Sequence, residues 1–294
     1  MARVVLVHGI NNTFGGPASM TAGWVPALLD GVALAGLAGR LSADDVDCAF
    51  YGDVFRRPGR RLGDGDELPG LGAGEVIDPA EAQLLLGWWE EAAAFDGGVI
   101  PPGLRTLGVA DGAQAALAAL AGSQFLAGAA EDLLAVWLGQ VRAYFTQSEL
   151  RQTIQQRFAD AIREDTETVV AHSLGSVVAY EGLCAHPEWP VTRLVTLGSP
   201  LGIRNVVLDR LIPQPALLDG GRCGQWPAGV REWVNIADRM DFVALVKKLA
   251  TVFGQDVVDV AIDNGVRMHD VRRYLSDAWT GRAVVGGDGG GEGS

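Results

Sequence analysis

The chain has 294 residues, of which 48% are hydrophobic and 20% charged, a length and balance sufficient for a large buried core. Its formal net charge of −13 at pH 7 argues against nucleic acid or an anionic membrane surface as a partner. Three scattered cysteines, Cys48, Cys184 and Cys223, are too few for a disulfide framework or a metal knuckle, so we expect a cytoplasmic protein.

Short apolar segments alternate with segments of helical length along most of the chain, which is typical of parallel βαβ units. Their near-continuous apolar character favours strands that are covered on both faces. The predicted strands are residues 3–7, 46–51, 167–171, 191–197, 232–237 and 256–262. Helices are predicted between several of them, such as 174–185 and 241–252. The sequence therefore predicts an α/β fold with a mainly parallel sheet of about six strands and helices on both faces.

Two apolar stretches raise the question of membrane insertion or export. The run at residues 3–7 is too short for a secretory signal peptide, so none is predicted. Residues 112–130 carry no charge over a length that could span a bilayer, but they are rich in alanine and contain glycine and glutamine. A buried helix is the better interpretation, and we expect no stable membrane insertion.

The strand pattern stops between residues 56 and 145, where the sequence predicts a helical insertion. Its first part is rich in glycine, proline and charge, and an apolar helical stretch over residues 79–95 follows. Trp88 and Trp89 in that stretch could line an acyl pocket or simply pack the insertion's own core. We predict a cap over residues 56–145, a core formed by 1–55 and 146–285, and a disordered tail at 286–294.

A serine flanked by small residues follows the third predicted strand. The run Ala171-His172-Ser173-Leu174-Gly175 lies between an apolar strand and a helix-like stretch. A strand, a sharp turn and a helix expose a serine hydroxyl, and the helix N-terminus favours developing negative charge. A purely structural turn is the alternative, but this context favours Ser173 as a nucleophile.

A nucleophilic serine needs a general base, and the chain has only four histidines. His8 ends the first strand, His172 is expected to point elsewhere on the turn, and His186 follows the helix at its far end. His269 remains, in a loop after the last predicted strand, although a solvated loop histidine is the alternative. We predict that His269 is the base.

The orienting carboxylate must hold His269 in the right tautomer, and for this fold class the chain order is expected to be serine, then Asp or Glu, then histidine. Asp238 and Asp241 follow the predicted strand 232–237, at the edge of the sheet where Ser173 also lies. We prefer Asp241, because an acidic residue followed by Phe-Val is typical of a helix start, and keep Asp238 as the alternative acid.

Two backbone N–H groups must bind the oxyanion of an acyl-transfer intermediate. The residue after the nucleophile, Leu174, supplies one of them. Ile10 is predicted to supply the other, because it follows Gly9 in the loop after the first strand. Asn11 and Asn12 are expected to brace that loop.

These features together resemble the α/β-hydrolase family. The His8-Gly9 dipeptide, the serine turn, the run Leu197–Gly202, the Asp238/Asp241 loop and His269 fall in family order over nearly the whole chain apart from the insertion and tail. The chain is similar to small bacterial lipases and esterases, although Ala171 replaces the commoner glycine and the first antiparallel strands are missing. The resemblance implies an α/β-hydrolase fold with a helical cap.

The predicted function is cleavage of a carboxylic ester or thioester through an acyl-enzyme on Ser173, without cofactor or metal. Acidic pairs such as Asp44-Asp45 lack the spacing of a cation site. The predicted partner is a small-molecule or acyl substrate. A peptidase or amidase, and a non-catalytic module with a hydrolase fold, are the alternatives.

Overall fold

A computed structural model describes residues 3–10, 12–13, 15–56, 79–95, 99–100, 130–218 and 221–286. Its strands are β1 (Val4–Val7), β2 (Val46–Ala49), β3 (Thr168–His172), β4 (Arg193–Leu197), β5 (Ala216–Leu218), β6 (Gly221–Cys223), β7 (Glu232–Asp238) and β8 (Val257–Ile262). The described α-helices are α1 (Pro17–Leu34), α2 (Pro79–Phe95), α3 (Ala130–Thr146), α4 (Ser148–Ala161), α5 (Leu174–Ala185), α6 (Ala250–Phe253), α7 (Val271–Leu275) and α8 (Ala278–Val285).

Six strands form one sheet in the order β2-β1-β3-β4-β7-β8, and all neighbouring pairs are parallel. The short hairpin β5–β6 is separate and antiparallel. The prediction of an α/β fold with a mainly parallel six-stranded sheet is confirmed. The hairpin was not predicted, because its strands have three residues each and carry no alternating pattern.

Alternate residues of each buried strand enter different halves of the core, as the pleat requires. In β1, Val4 and Leu6 join an apolar cluster with Trp24 of α1, whereas Val5 and Val7 join a cluster that contains Phe158 of α4. Helices α1 and α8 pack together on the first face, while α4 packs on α5 on the second. Helices therefore cover both faces, and the buried strands are apolar for that reason.

The predicted helix over residues 241–252 is wrong. Only the single turn of α6 is helical there, and the preceding residues form an irregular loop. The side chain of Asn235 donates to the carbonyl of Lys247, and the Asp259 carboxylate accepts from the N–H groups of Leu249 and Ala250. These tertiary hydrogen bonds occupy backbone groups that a helix would have paired internally.

Two helices of the insertion contact loops at the carboxyl ends of the strands. Gln140 of α3 donates to the hydroxyl of Thr13, which follows β1. Glu90 of α2 accepts from the side chain of Asn205, which follows β4. Predictions for residues 57–78, 96–98, 101–129 and 287–294, which include most of the cap, the 112–130 stretch and nearly all of the tail, lie outside the described residues.

In the part of the chain that the structure describes, every helix is too short or too polar to cross a bilayer.

Candidate active site

Ser173 lies at a sharp turn between β3 and α5. Its backbone has φ 54° and ψ −129°, a conformation that costs a residue other than glycine free energy and is frequent at functional sites. The start of α5 approaches β1 closely, since a Cβ at Gly175 would lie 2.4 Å from the carbonyl oxygen of His8. Glycine at position 175 therefore permits the tight strand-turn-helix geometry that the sequence predicts.

Asp241 and His269 come together at the same edge of the sheet. The Nδ1 of His269 lies 2.7 Å from Oδ2 of Asp241. The other oxygen of Asp241 accepts from the backbone N–H groups of Val243 at 2.9 Å and Ala244 at 3.4 Å. Because the carboxylate is an acceptor, the proton of a neutral His269 is placed on Nδ1 and Nε2 is left as the acceptor.

Asp238 points to other partners. Its carboxylate accepts from the backbone N–H of Met240 at 2.7 Å and from that of Asn264, so it ties the end of β7 to the loop after β8. Burial raises the pKa of Asp238, although its two backbone hydrogen bonds oppose that rise. Of the two predicted acids, Asp241 is the one in contact with His269.

The two atoms that would exchange a proton are both buried. Ser173 has no exposed surface, and the side chain of His269 is 6% exposed. Ser173 Oγ and His269 Nε2 have no hydrogen-bond partner among the described residues, so they are not bonded to each other. An unpaired buried polar atom costs about 1–3 kcal/mol, and in enzymes without substrate the nucleophile–base contact is often long.

The loop after β1 lies directly against Ser173. A Cβ at Gly9 would stand 2.4 Å from Ser173 Cβ and 3.0 Å from its Oγ. His8 Nε2 accepts from the N–H of Tyr51 at 3.0 Å, so the proton of His8 is on Nδ1, which donates to the Gly9 carbonyl at 2.7 Å. Burial lowers the pKa of His8 to about 4, which keeps the ring neutral.

The side chain of Asn12 braces this loop as well. It donates to the carbonyl of Ile10 at 3.1 Å and to that of Gly9 at 3.4 Å. Asn11, predicted to share that role, lies outside the described residues. The Gly9–Ile10 peptide is trans, so its carbonyl and its N–H point in opposite directions. Because the Gly9 carbonyl faces His8 and Asn12, the Ile10 N–H points away from them.

His172 does not point away from the site, contrary to expectation. Its ring centroid lies 4.6 Å from that of His269 and 5.7 Å from that of Tyr274, and the edge of Trp24 meets it from α1. Burial, followed by the neighbouring charge of His269, holds the pKa of His172 well below its usual value. The sheet causes this placement, because the residue before the turn still belongs to β3.

The charges around Asp241 keep it ionised. Burial by itself raises the pKa of this carboxyl group, but the charge and hydrogen bond of His269, with help from Lys247 and Tyr274, outweigh it, and the net pKa is lowered. Lys247 donates to the Asp241 carbonyl at 2.5 Å. Burial lowers the pKa of Lys247 to about 8 against the raising effect of Asp241 and Asp238.

Sequence reasoning missed Tyr274, whose hydroxyl donates to Asp241 Oδ2 at 2.6 Å. Sequence reasoning also assigned no role to His8, which fixes the Gly9 carbonyl, although the His8-Gly9 dipeptide pointed to this loop. For Tyr274 no signal existed, because only the packing of α7 brings it to the carboxylate.

The chain matches no known protein-family model, and no curated protein sequence shows significant similarity to it. Among the residues that the structure describes, no group of three or more His, Cys, Asp or Glu side chains could hold a metal ion.

Proposed function

We propose that this chain is a serine hydrolase of the α/β-hydrolase type, which cleaves a carboxylic ester or thioester. The observation that carries the proposal is Ser173 in a strained turn, with a buried hydroxyl that has no partner among the described residues. Its chain neighbour His172 packs on His269, which is bonded to Asp241. A polar atom without a partner in a well-packed interior is a cost to stability that a catalytic role explains.

The proposed reaction proceeds in two steps. Ser173 Oγ attacks the carbonyl carbon as His269 Nε2 accepts the hydroxyl proton, and His269 then returns that proton to the leaving alcohol or thiol. Water repeats the sequence in the second step, so that the acyl group leaves as an acid and Ser173 is regenerated. Asp241 holds the proton on Nδ1 and stabilises the imidazolium throughout, with Asp238 as the alternative acid.

The proposed oxyanion donors are the backbone N–H groups of Ile10 and Leu174. Leu174 is the first residue of α5, and the N–H groups of a first helical turn have no acceptor within the helix. Ile10 is supported by the position of the Gly9–Ile10 peptide, because a Cβ at Gly9 would lie 3.0 Å from Ser173 Oγ. The carbonyl of this peptide is already bonded to His8 and Asn12, and its N–H points the opposite way. His8 and Asn12 thus fix the peptide next to the nucleophile.

Gly9→Ala is expected to lower kcat/KM about 100-fold to 1,000-fold, the usual effect of losing one oxyanion donor. The added methyl group would stand 2.8 Å from the His172 carbonyl and 2.4 Å from Ser173 Cβ, so the loop must move. Turnover of a p-nitrophenyl ester measures the loss. Gly16→Ala in the same loop is the control, because nothing lies within 4 Å of its Cβ position. Equal activity of the two variants would contradict the oxyanion assignment.

The insertion is proposed to form a cap over the bound acyl group. Trp88 of α2 packs against Phe242 with ring centroids 6.5 Å apart, and Phe242 lies 5.9 Å from His269. The apolar helices favour a hydrophobic substrate over a nucleic acid, as does the net charge of −13. A cytoplasmic location stays a prediction that rests on three scattered free cysteines.

A fluorophosphonate probe tests the proposal on the whole chain. We expect one covalent adduct, which peptide mass spectrometry locates on Ser173, and turnover on a chain-length series of p-nitrophenyl esters. Ser176→Ala is the matched control, because this buried serine is one turn away and its hydroxyl is already bonded to the Ser173 carbonyl; it should label normally. A matching anilide and thioester separate amidase from esterase. Absence of both labelling and turnover would favour a non-catalytic module.

A further inference from the structure

We propose that Tyr274 is a positioning residue for the acid–base pair: its hydroxyl fixes the Asp241 oxygen that holds His269. The inference rests on the proposed function and adds to it a residue outside the Ser173, His269 and Asp241 set. Tyr274 lies on α7, five residues after His269, and is fully buried.

The hydroxyl of Tyr274 makes two hydrogen bonds with opposite roles. It donates to Asp241 Oδ2 at 2.6 Å and accepts from the backbone N–H of Asp238 at 2.8 Å. The Asp238 amide therefore fixes the position of the phenol oxygen, and its remaining proton is directed at Oδ2. That oxygen also accepts from His269 Nδ1 at 2.7 Å, so both donors converge on one atom.

The glycine at position 198 makes room for this convergence. A Cβ there would lie 2.7 Å from Asp241 Oδ2 and 3.2 Å from the Tyr274 hydroxyl, and the residue has a φ of +54°. The backbone just after β4 therefore lies directly against the hydrogen bond between Tyr274 and Asp241. Together with the backbone N–H groups on Oδ1, the phenol leaves Asp241 a single orientation.

Charge favours the same arrangement. Burial, together with the charge of Asp241, raises the pKa of Tyr274 well above its usual value, so the phenol remains a proton donor. Four other titratable groups surround the hydrogen bond between Tyr274 and Asp241. His172 packs on the rings of Tyr274 and His269, and Asp238 and Lys247 lie at and after the end of β7. The phenol therefore stabilises part of the negative charge of Asp241, which would otherwise interact with His269 alone.

Tyr274→Phe is expected to lower kcat about tenfold to 100-fold while KM stays within about twofold, since a hydrogen bond to a charged group is lost. The acid limb of the plot of kcat/KM against pH, where activity falls as the base is protonated, should move to higher pH. A carboxylate that no longer shares its charge with the phenol stabilises the His269 imidazolium more strongly. A role in stability alone would lower the melting temperature and leave that limb in place.

Tyr180→Phe is the matched control. Its hydroxyl is also buried in the protein and also makes one donor and one acceptor bond, to the carbonyl and N–H of Gln225 at 2.8 and 3.0 Å. This variant should lose a similar amount of stability and keep kcat and the acid limb. Identical kinetics of the two variants would overturn the proposal.

A second replacement tests the positioning role even if the Tyr274→Phe protein does not fold. Incorporation of 3-fluorotyrosine at position 274 keeps the ring nearly the same size and makes the hydroxyl a stronger donor. The acid limb should then move to lower pH, opposite to the phenylalanine variant. An unmoved acid limb in the fluorinated protein would contradict the positioning role.

One readout does not depend on turnover. The far-downfield proton resonance of the His269 Nδ1–H···Asp241 bond should shift in Tyr274→Phe and in the fluorinated protein, and should stay in place in Tyr180→Phe. If the wild-type chain neither labels nor turns over esters, the proposed function fails, but this resonance still decides whether Tyr274 positions the pair. An unshifted resonance would overturn it.

Discussion

Ser173→Ala is expected to abolish ester turnover, with a loss of about 10,000-fold or more, because it removes the hydroxyl that we propose as the nucleophile. The same change should not destabilise the fold. Ser173 Oγ is buried without a partner among the described residues, so its removal relieves a desolvation cost of about 1 kcal/mol or more.

Two measurements check this expectation: kcat/KM on a p-nitrophenyl ester, and the free energy of unfolding in urea. Activity should vanish while the free energy of unfolding stays equal or rises. Ser176→Ala should behave in the opposite way, because its hydroxyl bonds to the Ser173 carbonyl and to Ser199 Oγ. Wild-type turnover in Ser173→Ala would end the assignment of the nucleophile.

Asp241→Asn is expected to lower kcat/KM by about 10,000-fold, as amide replacements of a triad acid can. Among the described residues, all hydrogen-bond partners of the Asp241 oxygens are donors: His269 and Tyr274 bind one oxygen, and two backbone N–H groups bind the other. If the amide nitrogen faces His269, it favours the tautomer with the proton on Nε2, which cannot accept the serine proton.

Asp238→Asn is the matched comparison and should keep activity within about tenfold. Its carboxylate contacts the N–H groups of Met240 and Asn264 and not His269, so the expected effect is a loss of stability of about 1–2 kcal/mol. Parallel kinetics and urea titrations of both variants separate the two effects. A crippled Asp238→Asn with an active Asp241→Asn would exchange the two assignments. If both effects were mild, Asp209 or Asp263, which also lie between Ser173 and His269 in the chain, would be tested next.

The amino-acid pattern by itself determined the sheet. All six predicted strands are present within one or two residues of their predicted bounds, and helix α5 spans the predicted residues 174–185. Strands buried on both faces must be nearly continuously apolar, and such a run can be recognised from neighbouring residues alone, as in Val4–Val7. The turn at Ser173 was equally readable, since small neighbours and a following helix are local properties.

The loop that carries the acid could not be predicted in the same way. The sequence favours Asp241 through a predicted helix start, but no helix begins at that residue. Asp241 contacts His269 because the ends of β7 and β8 and the start of α7 lie close together. Residues 241–249 contain nothing that forbids a helix. Hydrogen bonds from Asn235 and Asp259, distant along the chain, decide against one.

Only the tertiary structure decided what surrounds the reacting groups. The packing of His172 on His269, the bond from Tyr274 to Asp241 and the bond from the Tyr51 N–H to His8 join separate elements. Such contacts depend on how far one element lies from another, which no local pattern encodes. The sequence could therefore name the groups that would react, while the three-dimensional packing alone fixes their orientation, because orientation comes from partners that are remote along the chain.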